Sequence, residues 1–323
     1  MNEKVIEIEN LKAYYRISGN INVLALDDIN LEVKKGEFAG IAGESGSGKT
    51  SLLKVLTHSF PSSMEIKGKV VINFRDKNFD VLTLNEDQIQ SLRWKAWSYV
   101  PQAAMNSLNP MAKIKDIFLE TLESNDKTMN RDEFRKKMED AFENVGLSKQ
   151  FLNFYASRLS GGMRQRAIIL LATILKPNII FLDEPTTGLD LITQKDVIQL
   201  LQNMHDELNS TFLLVTHDVS VHAQATDFVH IMYAGQIVES APTKELFHNP
   251  LHPYTKELIN SVPIIGGKRG RIEQNIRISS SIANSVQGCK FKDRCPYAIP
   301  SCGKYVYTYK KGDHEVKCNL YES

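Results

Sequence analysis

Residues 43–50 read Gly-Glu-Ser-Gly-Ser-Gly-Lys-Thr and match the G-x-x-x-x-G-K-[ST] pattern of a phosphate loop. Apolar residues 40–42 precede the loop like the end of a strand, and residues 50–56 follow it like the start of a helix. Glycines let the backbone wrap closely around a phosphate, and a helix N-terminus favours its negative charge. The stretch predicts an α/β nucleotide-binding core in which Lys49 reaches the β- and γ-phosphates and Thr50 binds Mg²⁺.

An acidic pair follows a second apolar run. Residues 178–182 read as a strand buried on both faces of a parallel sheet, and Asp183-Glu184 stands at its carboxyl end. We expect Asp183 to hold Mg²⁺, directly or through water, and Glu184 to polarise the attacking water as general base. A further strand, 211–215, precedes His217, which we expect to contact the γ-phosphate or that water. A single histidine elsewhere would indicate only a surface or core side chain.

Residues 159–166, Leu-Ser-Gly-Gly-Met-Arg-Gln-Arg, form what we call the signature segment. Locally, Ser160 predicts the N-cap of a helix that contains residues 164–175. The phosphate loop, Gln102, the signature segment, the acidic pair, Thr187-Gly188-Leu189-Asp190 and His217 follow one another along the chain. This order resembles that of the ATPase subunit of ABC (ATP-binding cassette) transporters, and the resemblance extends over some 200 residues.

The resemblance implies an α/β fold: an ABC-type P-loop NTPase core with a small antiparallel β subdomain and a helical subdomain at about 103–175. We expect an ATPase domain over residues 1–260, a loop at 266–270 and a small cysteine-bearing extension over 261–323. Alternating apolar and polar residues in 4–11, 21–41 and 68–83 indicate the antiparallel sheet, with a turn at Asp27-Asp28. Residues 111–175 read as helical. Within 130–146, one apolar face is formed by Phe134, Met138, Phe142 and Val145, and Asn130 is the expected cap.

The resemblance also implies roles for individual residues. Adenine would stack on Tyr14, with Tyr15 as the alternative. The expected catalytic residues are Lys49, Gln102, Glu184 and His217, and those for Mg²⁺ are Thr50, Gln102 and Asp183. Nucleotide contacts are expected from Tyr14, Gly43, Glu44, Ser45, Gly46, Ser47, Gly48, Lys49, Thr50, Ser51, Gln102, Asp183 and His217. A partner subunit's γ-phosphate would be clamped by Ser160, Gly161, Gly162, Met163 and Gln165.

Downstream residues narrow the resemblance to one branch. Residues 249–258 contain the His-Pro-Tyr motif of oligopeptide, dipeptide and nickel importer ATPases, and residues 105–110 also resemble that branch. The implied partners are a second, non-identical ATPase, two membrane permeases and an extracellular solute-binding protein, with permease contact near residues 103–113. The solute would be a peptide, or in other lineages nickel or an oligosaccharide. A soluble ABC ATPase outside transport is the alternative of another class.

All four cysteines, Cys289, Cys295, Cys302 and Cys318, lie near the end of the sequence. A reducing cytosol argues against disulfides, and thiolates suit zinc or an iron–sulfur cluster. Zinc ribbons have closer cysteine pairs than these. The tail resembles the segment that binds a 4Fe–4S cluster in some peptide-importer ATPases. Zinc is one alternative, and unmetallated or disulfide-bonded cysteines are the other. His314 is either a substitute ligand or a solvated residue.

Charge and hydropathy exclude other classes. The 323-residue chain has a formal net charge of +1, with basic and acidic residues mixed along it, so nothing predicts nucleic-acid binding. No uncharged apolar run is long enough for a conventional membrane helix, and the first residues lack the pattern of a signal peptide. We therefore expect a peripheral protein on the cytoplasmic face of the membrane, attached through its permeases.

Overall fold

The computed structural model describes residues 3–17, 21–125, 130–261 and 287–322. The predicted loop at 266–270 lies outside these ranges. Elements of the first part of the chain are, in order, β1 (Lys4–Ile17), β2 (Ile21–Lys34), β3 (Phe38–Ala42), α1 (Lys49–Leu56), β4 (Met64–Phe74), β5 (Lys77–Asp80), α2 (Glu86–Leu92), β6 (Trp97–Val100), α3 (Ile114–Asn125) and α4 (Arg131–Asn144). They continue with α5 (Gly161–Thr173), β7 (Ile179–Asp183), α6 (Leu191–Leu208), β8 (Thr211–Thr216), α7 (Val219–Ala225), β9 (Phe228–Tyr233), β10 (Gln236–Pro242), α8 (Thr243–His248), α9 (Pro253–Asn260), β11 (Thr308–Lys311) and β12 (His314–Lys317).

The chain forms two compact units. The first comprises residues 1–83 and 215–323, and the second comprises residues 84–214, so the chain passes from the second back to the first within β8. The predicted helical subdomain lies inside the second unit.

The first unit contains an antiparallel sheet in the order β2-β1-β4-β5, which confirms the antiparallel prediction for residues 4–11, 21–34 and most of 68–83. The prediction is wrong for the end of the stretch 21–41, because residues 38–42 form β3, which pairs in parallel with β9. The predicted turn at Asp27-Asp28 is wrong, because both residues lie within β2. Asp28 has a φ of +56°, and the β1–β2 register shifts between Leu11 and Ala13. The turn-forming residues therefore accompany an irregularity inside a long strand rather than its end.

Strands β11-β12-β10-β9-β3 follow one another in a second sheet of the first unit. Strand β3 pairs in parallel with β9 and all five of its residues are buried, as its apolar sequence predicts. The C-terminal residues join this sheet, because Val316 and Glu315 of β12 pair with Glu239 and Ser240 of β10. The expected extension thus shares backbone hydrogen bonds with the ATPase core.

The second unit contains strands in the order β8-β7-β6, with β6 and β7 parallel. Strand β7 is buried at all five positions, which confirms the predicted two-faced burial. Phe134, Met138 and Phe142 bury the predicted face of α4, and Asn130 caps it by accepting a hydrogen bond from Asp132 N–H. Helix α5 ends at Thr173, two residues earlier than predicted.

Candidate nucleotide site and cysteine segment

The phosphate loop joins β3 to α1, as predicted. At Gly48 the backbone has a φ of +105°, and a Cβ would lie 2.5 Å from the carbonyl oxygen of Ala25. Only glycine fits a left-handed position approached this closely by backbone. A hydrogen bond of 2.8 Å from Gly235 N–H to the Ser47 carbonyl holds the loop from the other side.

The ammonium of Lys49 is directed at the loop. Its Nζ donates to the carbonyl oxygens of Gly43 and Glu44, both at 2.8 Å, and lies 3.3 Å from Ser47 Oγ. The residue is only 5% exposed. A charged donor that is buried against the loop is positioned to bind phosphate oxygens that enter it.

The predicted acidic residues lie together in the second unit. Asp183 is fully buried at the end of β7, and its carboxylate accepts a hydrogen bond of 3.1 Å from the Tyr99 hydroxyl. Burial and the Asp183 charge raise the pKa of Tyr99, so this hydroxyl remains a donor at neutral pH. Glu184 accepts hydrogen bonds from Thr187 Oγ1 at 2.8 Å and from Gln102 Nε2 at 3.4 Å. Gln102 and Glu184, which are both predicted catalytic residues, are therefore in contact although they are 82 positions apart in sequence.

The signature segment begins α5. Ser160 caps this helix by accepting a hydrogen bond of 3.3 Å from Met163 N–H, as predicted, and its side chain is exposed. A Cβ on Gly162 would lie 2.6 Å from Thr193 Cγ2, so this glycine is also required for packing. Gln165 is only 3% exposed, which argues against its predicted contact with a partner's nucleotide.

Three further predicted residues lie in the first unit. His217 directly follows β8 and is exposed. Tyr15, the alternative for adenine stacking, has its hydroxyl 3.2 Å from Ser51 Oγ in α1. Because successive strand residues face opposite sides, Tyr14 points away from that contact. The contact with α1 is therefore made by Tyr15.

The His-Pro-Tyr motif begins α9. His252 Nδ1 accepts a hydrogen bond of 3.0 Å from Tyr254 N–H, and Pro253 occupies the first helical turn, where it loses no hydrogen bond. The Tyr254 hydroxyl accepts a hydrogen bond of 2.9 Å from Glu44 N–H in the phosphate loop. Sequence reasoning used this motif only as a family marker and missed its contact with the loop.

The four cysteines are free thiols within the described residues. Burial raises the pKa of Cys289 to about 11, and the Cys289 N–H donates to the Cys302 carbonyl at 2.8 Å. Cys302 and Cys318 are each 7% exposed. Within residues 3–17, 21–125, 130–261 and 287–322, however, no three His, Cys, Asp or Glu side chains are arranged to hold a metal ion.

His314 differs from both expectations. It is buried at 6% exposure on β12, and its Nε2 lies 2.7 Å from an Oε1 of the fully buried Glu239 side chain. The same carboxylate accepts hydrogen bonds from Leu251 N–H and His252 N–H at 2.7 and 2.9 Å. His314 is therefore neither solvated nor directed at the thiols; it connects the C-terminal strand to the start of α9.

Comparison with known proteins agrees with this arrangement. Residues 26–187 match the family model of the ABC transporter, and residues 238–302 match that of the oligopeptide/dipeptide transporter C-terminal region. The chain is 37% identical to the dipeptide transport ATP-binding protein DppD of Caldanaerobacter subterraneus, with 98% of this chain and 97% of that protein covered. The chain belongs to the ABC transporter ATP-binding subunits of the oligopeptide/dipeptide family. It is likewise 36% identical to the oligopeptide transport ATP-binding protein AppD of Bacillus subtilis, over 98% and 97% of the two chains.

Solved structures of ABC ATPases share the fold. The dimeric structure of a post-hydrolysis state of the ATP-binding cassette MJ0796, bound to ADP and Pi, superimposes with a TM-score of 0.63 at 28% identity. The similarity covers 74% of this chain and 98% of that one. The present chain is accordingly an ABC-type ATPase with the expected P-loop fold. Among the helices in the described part of the chain, none is long and apolar enough to cross a membrane.

Proposed function

We propose that this ABC ATPase powers the import of peptides delivered by an extracellular binding protein. The observation that carries this proposal is the family match over residues 238–302, which contain the His-Pro-Tyr helix and three of the four cysteines. The names of the relatives, dipeptide and oligopeptide transport proteins, support the solute class. Nickel and oligosaccharides remain the alternative solutes.

In this proposal, Lys49 binds the β- and γ-phosphates, and Thr50, Asp183 and Gln102 hold Mg²⁺ directly or through water. These oxygen donors suit a hard divalent cation. Mg²⁺ would neutralise the charge that builds up on the phosphate oxygens during transfer.

Glu184 is the proposed general base. Its carboxylate is oriented by hydrogen bonds from Thr187 and Gln102, and a carboxylate is a group that can accept a proton from water. His217 would contact the γ-phosphate or the same water. For the adenine ring we now propose Tyr15, because its hydroxyl contacts Ser51.

A second ATPase subunit would complete the site. Ser160, Gly161, Gly162 and Met163 are proposed to clamp the partner's γ-phosphate, since α5 begins at an exposed serine cap and a helix N-terminus attracts anions. A related but non-identical partner is expected. Two permeases, contacted near residues 103–113, would hold both subunits at the cytoplasmic face of the membrane.

We also propose that Cys289, Cys295, Cys302 and Cys318 bind a 4Fe–4S cluster. Burial raises the pKa of Cys289, Cys295 and Cys318, and the backbone N–H groups of Phe291, Tyr297 and Leu320 partly offset that rise. Hydrogen bonds to sulfur and burial are features that tune iron–sulfur sites. When bound, the cluster would cross-link the four parts of the chain that carry these cysteines. Zinc is the alternative, and binding either metal would require side chains to rearrange, because no three of the described His, Cys, Asp or Glu side chains are arranged to hold a metal ion.

Purification in mild detergent tests the transport assignment. We expect the chain to co-purify with two permeases and a second ATPase, and the complex in proteoliposomes to hydrolyse ATP faster when a peptide-loaded binding protein is added. Mass spectrometry of the complex would identify the binding protein. Purification without permeases would instead support a soluble ABC ATPase, and stimulation only by a nickel- or sugar-loaded protein would change the solute.

A further inference from the structure

A salt bridge connects the cysteine segment, which we define as residues 289–295, to the phosphate loop. Arg294 donates from Nη1 to Glu44 Oε2 and from Nη2 to Glu44 Oε1, both at 3.0 Å. Nη2 also donates to Glu257 Oε1 of α9 at 2.6 Å. The Arg294 side chain is only 17% exposed and that of Glu44 is 44% exposed, so the pairing is partly shielded from solvent and remains sensitive to salt.

The guanidinium is held in place by aromatic rings. Its Cζ lies 5.4 Å from the centre of the Phe291 ring and 5.8 Å from that of Tyr233. Phe291 is 1% exposed and also contacts the Tyr254 ring, with the centres 5.6 Å apart. Cation–π contacts with buried rings favour one position of the charge.

The other end of the cysteine segment is anchored as well. Lys290 donates to the Ala234 carbonyl at 2.9 Å and pairs with Asp27 Oδ2 at 2.8 Å. Gly235, which follows Ala234 in the sequence, donates its N–H to the Ser47 carbonyl of the phosphate loop. Both ends of the segment therefore support the same loop.

The backbone N–H, the backbone carbonyl and the side-chain carboxylate of Glu44 each have a hydrogen-bond partner. Its N–H donates to Tyr254, its carbonyl accepts from Lys49, and its carboxylate pairs with Arg294. The carboxylate is part of the loop that binds a polyanion. Without Arg294 its negative charge would repel the triphosphate.

We propose that Arg294 is a positioning residue for nucleotide binding, which holds Glu44 and neutralises its charge beside the triphosphate. The cysteine segment is then part of the nucleotide site. This inference rests on nucleotide binding by the phosphate loop and concerns how the loop is prepared for it.

A double-mutant cycle on the full-length chain tests the proposal by measuring Kd for MgATP and MgADP. Arg294→Met is expected to weaken MgATP binding about tenfold, which corresponds to about 1.4 kcal/mol. Glu44→Gln removes the charge that Arg294 neutralises, so Arg294→Met should then weaken binding by no more than about twofold. The tenfold loss of MgATP affinity in Arg294→Met should become smaller at high salt. In steady-state hydrolysis, Arg294→Met should raise KM for ATP and retain kcat.

Lys292→Met is the matched control, because it removes a positive charge from the same segment without contacting Glu44. Arg294→Lys, which keeps the charge and loses the two-bond geometry, should lie between wild type and Arg294→Met; it also serves if Arg294→Met does not fold. Equal losses with and without Glu44→Gln would overturn the electrostatic role. Unchanged affinity of Arg294→Met, while Lys49→Ala loses binding, would overturn the proposal and leave nucleotide binding intact. A wild-type chain that binds no MgATP would overturn both.

Discussion

The hydroxyl of Tyr254 accepts a hydrogen bond from the backbone N–H of Glu44 across 210 positions of sequence. Burial raises the pKa of Tyr254, so the phenol stays neutral and tolerates the negative charge nearby. The third residue of the His-Pro-Tyr motif thus satisfies a backbone donor of the phosphate loop. The motif therefore contacts the phosphate loop, although it follows the loop by two hundred residues.

Tyr254→Phe is expected to weaken MgATP binding about fivefold, because it removes one hydrogen bond of about 1 kcal/mol and leaves the Glu44 N–H without this acceptor. Tyr321→Phe is the matched control, since its hydroxyl donates to the Leu251 carbonyl at 2.9 Å. Calorimetric titration of both variants with nucleotide measures the effect. Equal affinities for the two variants would show that the bond is dispensable.

Glu184→Gln is expected to retain MgATP binding and lose at least about 100-fold in hydrolysis rate, because an amide cannot accept the proton from water. Glutamine preserves the side-chain shape and an oxygen that can accept from Thr187. Phosphate release under saturating ATP gives the rate, with the exposed Glu143→Gln as control. A rate near that of the wild type would remove Glu184 from the role of base.

Lys49→Ala is expected to weaken nucleotide binding itself, by about 100-fold or more, since it removes the buried ammonium directed at the loop. Lys54→Ala, in the last turn of the same helix, is the control for general effects of losing a lysine. Fluorescence titration with a labelled nucleotide distinguishes the two variants. If Lys49→Ala bound ATP with unchanged affinity, the assigned phosphate contact would be wrong.

His230 is expected to make stability depend on pH. Burial lowers its pKa to about 4, and its Nδ1 lies 2.8 Å from Ser240 Oγ. The unfolded chain, whose histidine has the ordinary pKa of about 6.5, therefore binds the proton more readily, and stability is lost as pH falls from about 6.5 towards 4.

Between pH 7.5 and 5, this one histidine should account for about 2 kcal/mol of lost unfolding free energy. His230→Gln removes the titrating group, so urea unfolding at the two pH values should show a correspondingly smaller loss. The difference between the two conditions is the informative quantity, because the substitution also changes stability at every pH. An identical loss in the variant would contradict the assignment.

Metal analysis tests the cysteine cluster. Protein purified without oxygen is expected to contain about four irons and four sulfides per chain and to absorb visible light as an iron–sulfur protein. Cys302→Ser should lose the iron and lower the unfolding temperature, because one ligand and the cross-link are removed. One zinc per chain would replace the cluster by a zinc site, and metal-free protein would exclude both.

Elements with strong local signals were predictable. The buried strands β3 and β7 consist of continuous apolar runs, and the caps Ser160 and Asn130 satisfy helix N–H groups only three or fewer residues away. In both cases the physical cause lies within a few residues of sequence. The strand ends therefore also located the phosphate loop and the acidic pair correctly.

Positions that depend on a neighbouring element were not predictable. Asp27-Asp28 reads as a turn, yet pairing with β1 keeps it within a strand. Tyr14 and Tyr15 are equivalent aromatics in the sequence, but the strand directs them to opposite faces and Tyr15 contacts α1. His314 appears in a charged stretch, but pairing of β12 with β10 brings it to the buried Glu239.

The amino-acid sequence by itself determined the class of protein, because the motifs of an ABC ATPase are short and their chemistry is carried by adjacent residues. It also placed the phosphate loop with its lysine, the acidic pair and the set of four cysteines. Only the tertiary structure decided how the C-terminal residues act. Arg294 and Glu44 are 250 positions apart, and no local pattern indicates their contact. It arises because β12 and α9 pack on the core and bring the cysteine segment to the phosphate loop.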